Sequence, residues 1–272
     1  YDAQGSGGII NIKTRKNFAK GLNGNIRGAY GAGLYKKYYN YADGTLNLNY
    51  RNEKNNLSLS YNPRYNEGFF HFKTETEMEN SNIVNSNTRF ERFNDGQSLK
   101  LSEDFYANKK NIFGFVINLA YRGLKDSSDA DAGSRYFVNG QNTQNVNTKI
   151  INDMYSESAL FNINYTRIFS GNSELTLNGD YNYYFMGKKS YQDNRFFNPQ
   201  NIELRNPAIF TTNSDQYITI KSFKADYELT LKSRIKLETG IKWSQSKTDN
   251  DLNWKDFVNN EWIDNNSQKN RF

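Results

Sequence analysis

Hydrophobic and polar residues alternate with a period of two through most of the chain, in paired runs joined by short polar turns. In residues 45–51, Leu46, Leu48 and Tyr50 are interleaved with Thr45, Asn47, Asn49 and Arg51. A period of two sets the apolar residues on one face of a strand and the polar residues on the other. After the polar turn 52–56 the pattern returns in Leu57, Leu59 and Tyr61, so the two runs predict a hairpin with one shared apolar face. Three more hairpins repeat it. Phe105 leads through residues 107–111 into Phe113, Phe115, Ile117, Leu119 and Tyr121. Phe161, Ile163 and Tyr165 lead through 170–173 into Leu175, Leu177, Tyr181, Tyr183 and Phe185. Phe223, Ala225, Tyr227, Leu229 and Leu231 lead through 232–234 into Ile235, Leu237, Ile241 and Trp243.

The short turns centre near residues 54, 109, 172 and 233, about 60 residues apart, and the stretches between them predict long polar loops such as 126–153 and 193–215. A soluble β-sandwich would show a turn signal every 8 to 12 residues or so. Two long strands and one long loop per repeat instead describe the wall of an outer-membrane β-barrel, with short turns at one end and long loops at the other. The polar face carries Lys224, Asp226, Glu228, Lys236 and Glu238, charges that a dry core would not hold without partners. That face therefore points to a wet lumen, and the apolar face to lipid or another layer. The pattern predicts nine complete strands and the start of a tenth at Trp262. Glu103 falls on the apolar face, which a bulge or a position near the headgroups would accommodate.

Composition excludes several alternatives. Of 272 residues only 36% are hydrophobic, yet 15% are aromatic, including 20 Tyr and 19 Phe; disordered chains are polar but poor in aromatics. The longest nearly apolar run, 112–121, is interrupted by Asn118 and falls far short of the roughly 20 residues of a membrane-spanning helix. The net charge of +6 comes from interspersed signs without a block of like charge, which argues against nucleic acid as a partner. With no cysteine and one histidine, neither a thiolate metal site nor a Ser-His-Asp triad around a second imidazole is available, so the expectation is a protein that is not an enzyme and needs no cofactor. His71, within Phe69-Phe70-His71-Phe72, reads as an aromatic neighbour on a strand surface.

The chain opens at Tyr1-Asp2-Ala3 without the basic and apolar regions of a signal peptide, which reads as a mature form or a fragment. Residues 266–271 lack the alternation of a closing barrel strand, so the end at Phe272 reads as arbitrary. The first sixteen residues form a glycine-rich turn feeding a short strand. They match neither phosphate-binding fingerprint, because Gly-Lys-Ser/Thr is absent and Ile10 stands where a dinucleotide motif needs its third glycine.

This segment, with Gly5, Gly7, Gly8, Ile9, Ile10, Asn11 and Ile12, resembles the last plug strand of TonB-dependent outer-membrane receptors, in which Gly-Gly-Val/Ile-Ile-Asn-Ile precedes the barrel. The specific part of the resemblance is about ten residues; the barrel pattern downstream extends it along the chain. It implies an all-β fold in two parts: residues 1–18 as the last plug strand and linker, and 19–272 as the N-terminal portion of an antiparallel up-and-down barrel, incomplete against the roughly 22 strands of the family. It also implies a Gram-negative outer membrane and energised uptake of a scarce nutrient, a siderophore, oligosaccharide or peptide. The implied partners are outer-membrane lipid, the nutrient, and the TonB complex acting through a region upstream of Tyr1. The alternative is an outer-membrane barrel without transport, serving adhesion, assembly or ligand binding at the surface.

Candidate extracellular ligand contacts are Tyr136, Phe137, Tyr191, Phe196, Phe197 and Trp254, aromatic residues among amides that can stack on and hydrogen-bond to a ligand. A membrane-interface girdle is the alternative role for such residues. Asp126, Asp129 and Asp131 offer oxygen ligands at spacings suited to calcium but lack the bidentate glutamate of an EF-hand loop, and a solvated loop is the favoured reading.

Overall fold

The computed structural model describes residues 20–35, 37–78, 82–128, 132–170, 173–231 and 235–271. Residues 1–18, and with them the plug-like segment, lie outside the described residues. Within the described residues the chain is one antiparallel sheet of 12 strands: β1 (Gly21–Tyr35), β2 (Lys37–Arg51), β3 (Asn55–Met78), β4 (Asn82–Asn108), β5 (Asn111–Ser128), β6 (Gly133–Val138), β7 (Gln141–Phe169), β8 (Ser173–Phe197), β9 (Glu203–Thr230), β10 (Lys236–Val258), β11 (Glu261–Asp264) and β12 (Asn270–Arg271). Ten of them form a meander in chain order, with β6 pairing β4 and β7 beside it and β12 pairing β10. The nine long strands and the short tenth containing Trp262 agree with the count drawn from the alternation.

Asparagines shape the turns. The Asn52 side-chain oxygen accepts hydrogen bonds from the backbone N–H of Lys54 at 2.8 Å and of Asn55 at 2.7 Å. Asn108 does the same for Lys110 and Asn111, and Asn198 for Gln200 and Ile202. Each of these side chains substitutes for a missing ladder partner at the point where the strand reverses.

Register sorts the side chains into two faces. One row runs Leu48, Leu59, Leu101, Ile117, Phe161 and Tyr181 across six strands. The neighbouring row, on the opposite face, runs Asn49, Ser58, Ser102, Val116, Asn162, Asp180, Ser222 and Ser244. No second layer covers either face among the described residues: the buried apolar residues are only Tyr39, Ala132, Val146 and Phe185, while Ile163 is 70% and Ile241 69% exposed. A sheet this long whose apolar side chains face outward has its core in the surrounding medium, as a membrane barrel does.

Two expectations are corrected. The long polar stretches are not loops. β7 has 29 residues and β9 has 28, so residues 126–153 and 193–215 lie largely within ladders that continue past the apolar belt. On β5 the outward positions are apolar from Phe113 to Tyr121 and then become Gly123, Lys125 and Ser127, so the belt takes up nine residues, within the roughly 9–11 that a transmembrane strand needs. Beyond that height polar residues, with aromatic rings among them, occupy both faces, as suits strands that stand in water. The second correction concerns the bulge offered for Glu103, which pairs with Leu57 and Phe115 without a break, the irregularity in β4 falling instead between Tyr106 and Asn108; the other reading, a position near the headgroups, is untouched by this.

Candidate lumenal binding surface

Opposite the belt, the polar face satisfies itself through short contacts between and within strands. Ser58 and Ser102 hydroxyls lie 2.6 Å apart, Asp180 accepts from Asn162 at 2.7 Å and from Ser222 at 2.8 Å, and Lys224 pairs with Asp226 at 2.8 Å. Lys236 bridges Glu228 and Glu238. The charges that a dry core could not hold are thus paired with one another on a wet surface.

Above the belt the same face gathers aromatic rings and an ion pair. Phe70 and Phe90, opposite each other on β3 and β4, stack at 4.9 Å, and the Arg92 guanidinium sits 4.3 Å over Phe70. Arg92 also grips Asp126 with two hydrogen bonds, at 2.7 and 2.8 Å, while the Asp126 side chain is only 5% exposed. That carboxylate raises the Arg92 pKa above its ordinary value. Asp126 is therefore held by a guanidinium, and among the described residues no group of His, Cys, Asp or Glu is placed to hold a metal ion. Asp129 and Asp131 lie outside the described residues. A second aromatic pair, Phe210 and Trp254, stacks at 4.4 Å, with the Trp254 indole N–H donating to Asp256 at 2.8 Å.

The six candidate ligand contacts all stand in the extension, on strands, and they divide between the faces. Tyr136 opposite Gln144, Phe196 opposite Val146 and Trp254 opposite Thr212 share the lumenal face; Phe137, Tyr191 and Phe197 lie on the outward one. Phe196 carries the Arg205 guanidinium at 3.6 Å, and Tyr191 meets Trp262 edge-on at 6.4 Å. Trp254 lies eleven residues beyond Trp243 on β10, about 36 Å along the strand, much further from the belt than a headgroup girdle position. His71 is exposed on the outward face and contacts Asn87.

The register also assembles a site that no local motif announced. Arg64 and Arg122 both pair with Gly96, one from each neighbouring strand, in a recess of about 650 Å³ on the lumenal face just above the belt. Fifty-eight positions separate the two arginines in the chain, so only the strand pairing brings them together.

A continuous antiparallel meander, an outward belt one membrane thick and a polar lumenal face together define the wall of a transmembrane β-barrel. Residues 169–272, from the end of β7 onward, match the model of a family described as the outer membrane protein beta-barrel family. A search of curated proteins finds no match. The fold is that of an outer-membrane β-barrel wall, and its location is the bacterial outer membrane.

Proposed function

We propose that this wall belongs to a TonB-dependent receptor that imports a scarce nutrient through a plugged barrel without acting as an enzyme. The observation that carries the reading is the glycine-rich Gly5 to Ile12 segment placed immediately before the first barrel strand, where such a receptor has the last strand of its plug. The tall lumenal face supports it, because stacked aromatics, amides and a fixed guanidinium well above the bilayer suit capture of a solute from outside. In this reading the barrel closes with further strands of the complete protein, and the TonB complex acts on a segment upstream of Tyr1. The test is direct binding: the complete receptor in detergent should bind the purified C-terminal domain of its host's TonB saturably. Absence of binding would favour a barrel with an adhesive or assembly role.

A further inference from the structure

We propose that the recess between Arg64 and Arg122 binds an anionic group, so that the solute taken up carries carboxylates or phosphates. The inference gives the cargo of the proposed uptake a chemistry and rests on that reading for its biological meaning, but the binding itself does not require transport.

The geometry begins with the row Arg64, Gly96 and Arg122 on three adjacent strands. Neighbouring strands are about 4.8 Å apart, so the two arginines spring from backbones roughly 10 Å apart with a glycine between them. Gly96 keeps that gap open: a Cβ there would come within 3.0 Å of the Tyr121 carbonyl oxygen. A strand glycine so placed allows a ligand to approach the backbone.

Charge is the second observation. Arg64 is exposed, and its side chain makes no hydrogen bond or ion pair with a described residue. Arg122 donates from Nε to the Asn94 side-chain oxygen at 3.1 Å, a neutral partner that aims the guanidinium and leaves its charge uncompensated; Asn94 itself is 8% exposed. Asp43 stands next to Arg64 in the register, but the ion pair it makes is with Arg27, at 3.8 Å. Two carboxylates also line the recess, but Asp43 is drawn to Arg27 and Asp95 lies at an outward position of β4 opposite Gly123, so the arginines face the lumen without a carboxylate partner. Guanidinium groups present planar forks of donors that match carboxylate and phosphate oxygens, and two of them across an open glycine can hold one anion from both sides. Tyr41 and Asn66, which line the same recess, add donors for neighbouring hydroxyl or carbonyl groups of the solute.

The test uses the complete receptor in detergent, titrated calorimetrically with citrate and, separately, with inorganic pyrophosphate at constant ionic strength. Saturable binding of at least one of them is expected, and the stronger of the two identifies the preferred oxyanion. Arg64→Gln and Arg122→Gln should each weaken it by about tenfold or more, whereas Lys188→Gln, a charge lost elsewhere on the lumenal face, should leave it unchanged. All three variants should retain the heat-modifiable mobility of a folded barrel. The proposal is overturned if neither anion binds saturably, as when an acidic segment of the protein's own chain already covers the arginines. Equal weakening by Lys188→Gln overturns it as well, because the effect would then be one of net charge.

Discussion

Placing an arginine at Ile117 and, separately, at its neighbour Val116 separates the two faces of the sheet by a single residue. Ile117 is the middle of the nine-residue belt on β5, which runs about 26 Å along the strand, and its cross-strand neighbours are Leu101 and Phe161. A guanidinium there must either remain in hydrocarbon or drag water in, at a cost of about 2–4 kcal/mol for a midplane position. Val116 sits at almost the same depth, but its neighbours are Ser102 and Asn162, and Asp104 and Asp180 lie close on the same face. An arginine there enters the wet lumen and meets carboxylates, so the cost should stay below about 1 kcal/mol although a hydrophobic residue is lost in both variants. The complete barrel, folded into phospholipid vesicles and titrated with urea, gives both values through the heat-modifiable band. Equal costs for Ile117→Arg and Val116→Arg, or a larger cost at Val116, would refute the face assignment.

The remaining predictions concern topology, the extension and pH. Single cysteines at Asn55 and Lys110, in the short turns next to the belt, should resist an impermeant thiol reagent on whole cells, whereas Gln141 and Gln200, at the far ends of long strands, should react; the reverse pattern would invert the barrel. Arg92→Ala leaves the buried Asp126 carboxylate without its guanidinium and should cost about 1.5–3 kcal/mol, discounted because Arg92 is partly exposed. The loss should appear as faster amide exchange in residues 90–92 and 126–128 with the belt unaffected, and unchanged exchange would refute it. Asp264, on β11 beyond the membrane, has its pKa lowered first by the hydrogen bond from Lys269, with the charges of Lys269 and Lys255 adding to the effect. A lowered folded-state value means the contact stabilises above the unfolded carboxylate pKa and is lost as pH falls through the folded one, so exchange in residues 265–269 should accelerate on acidification, and less so in Lys269→Ala.

The belt was legible because lipid imposes a period of two that chemistry alone displays: Phe113, Phe115, Ile117, Leu119 and Tyr121 can be placed on one face without any neighbour. The extension was not legible, because past Gly123 and Gly187 water bathes both faces and polar residues occupy both parities. What holds residues 126–128, 133–138 and 141–153 in strands is ladder pairing, in large part with partners dozens of residues away, which leaves no periodic trace. One local signal was available. Asn139 and Gly140 have φ values of 49° and 77° in the two-residue turn joining β6 to β7, and Asn259 and Asn260 play the same part before β11. Such pairs favour the positive φ that a tight hairpin needs, and they mark strands where the hydrophobic pattern is silent. For Arg64 and Arg122 the sequence offers no comparable mark: Arg64 is a single arginine in a polar run, Arg122 a single arginine at the end of an apolar one, and Gly96 joins them only through register.

The central claim, that one face of this sheet meets lipid over a single membrane thickness and both faces meet water beyond it, is tested most directly by spin labels walked along β5. With nitroxides introduced singly at residues 112–127 of the complete barrel in vesicles, accessibility to oxygen should peak at positions 113, 115, 117, 119 and 121. Accessibility to a water-soluble nickel chelate should peak at the even positions between them, and the oxygen peaks should vanish from residue 123 onward. Oxygen peaks that continue through residues 125 and 127, or that fall on the even positions, would contradict the account.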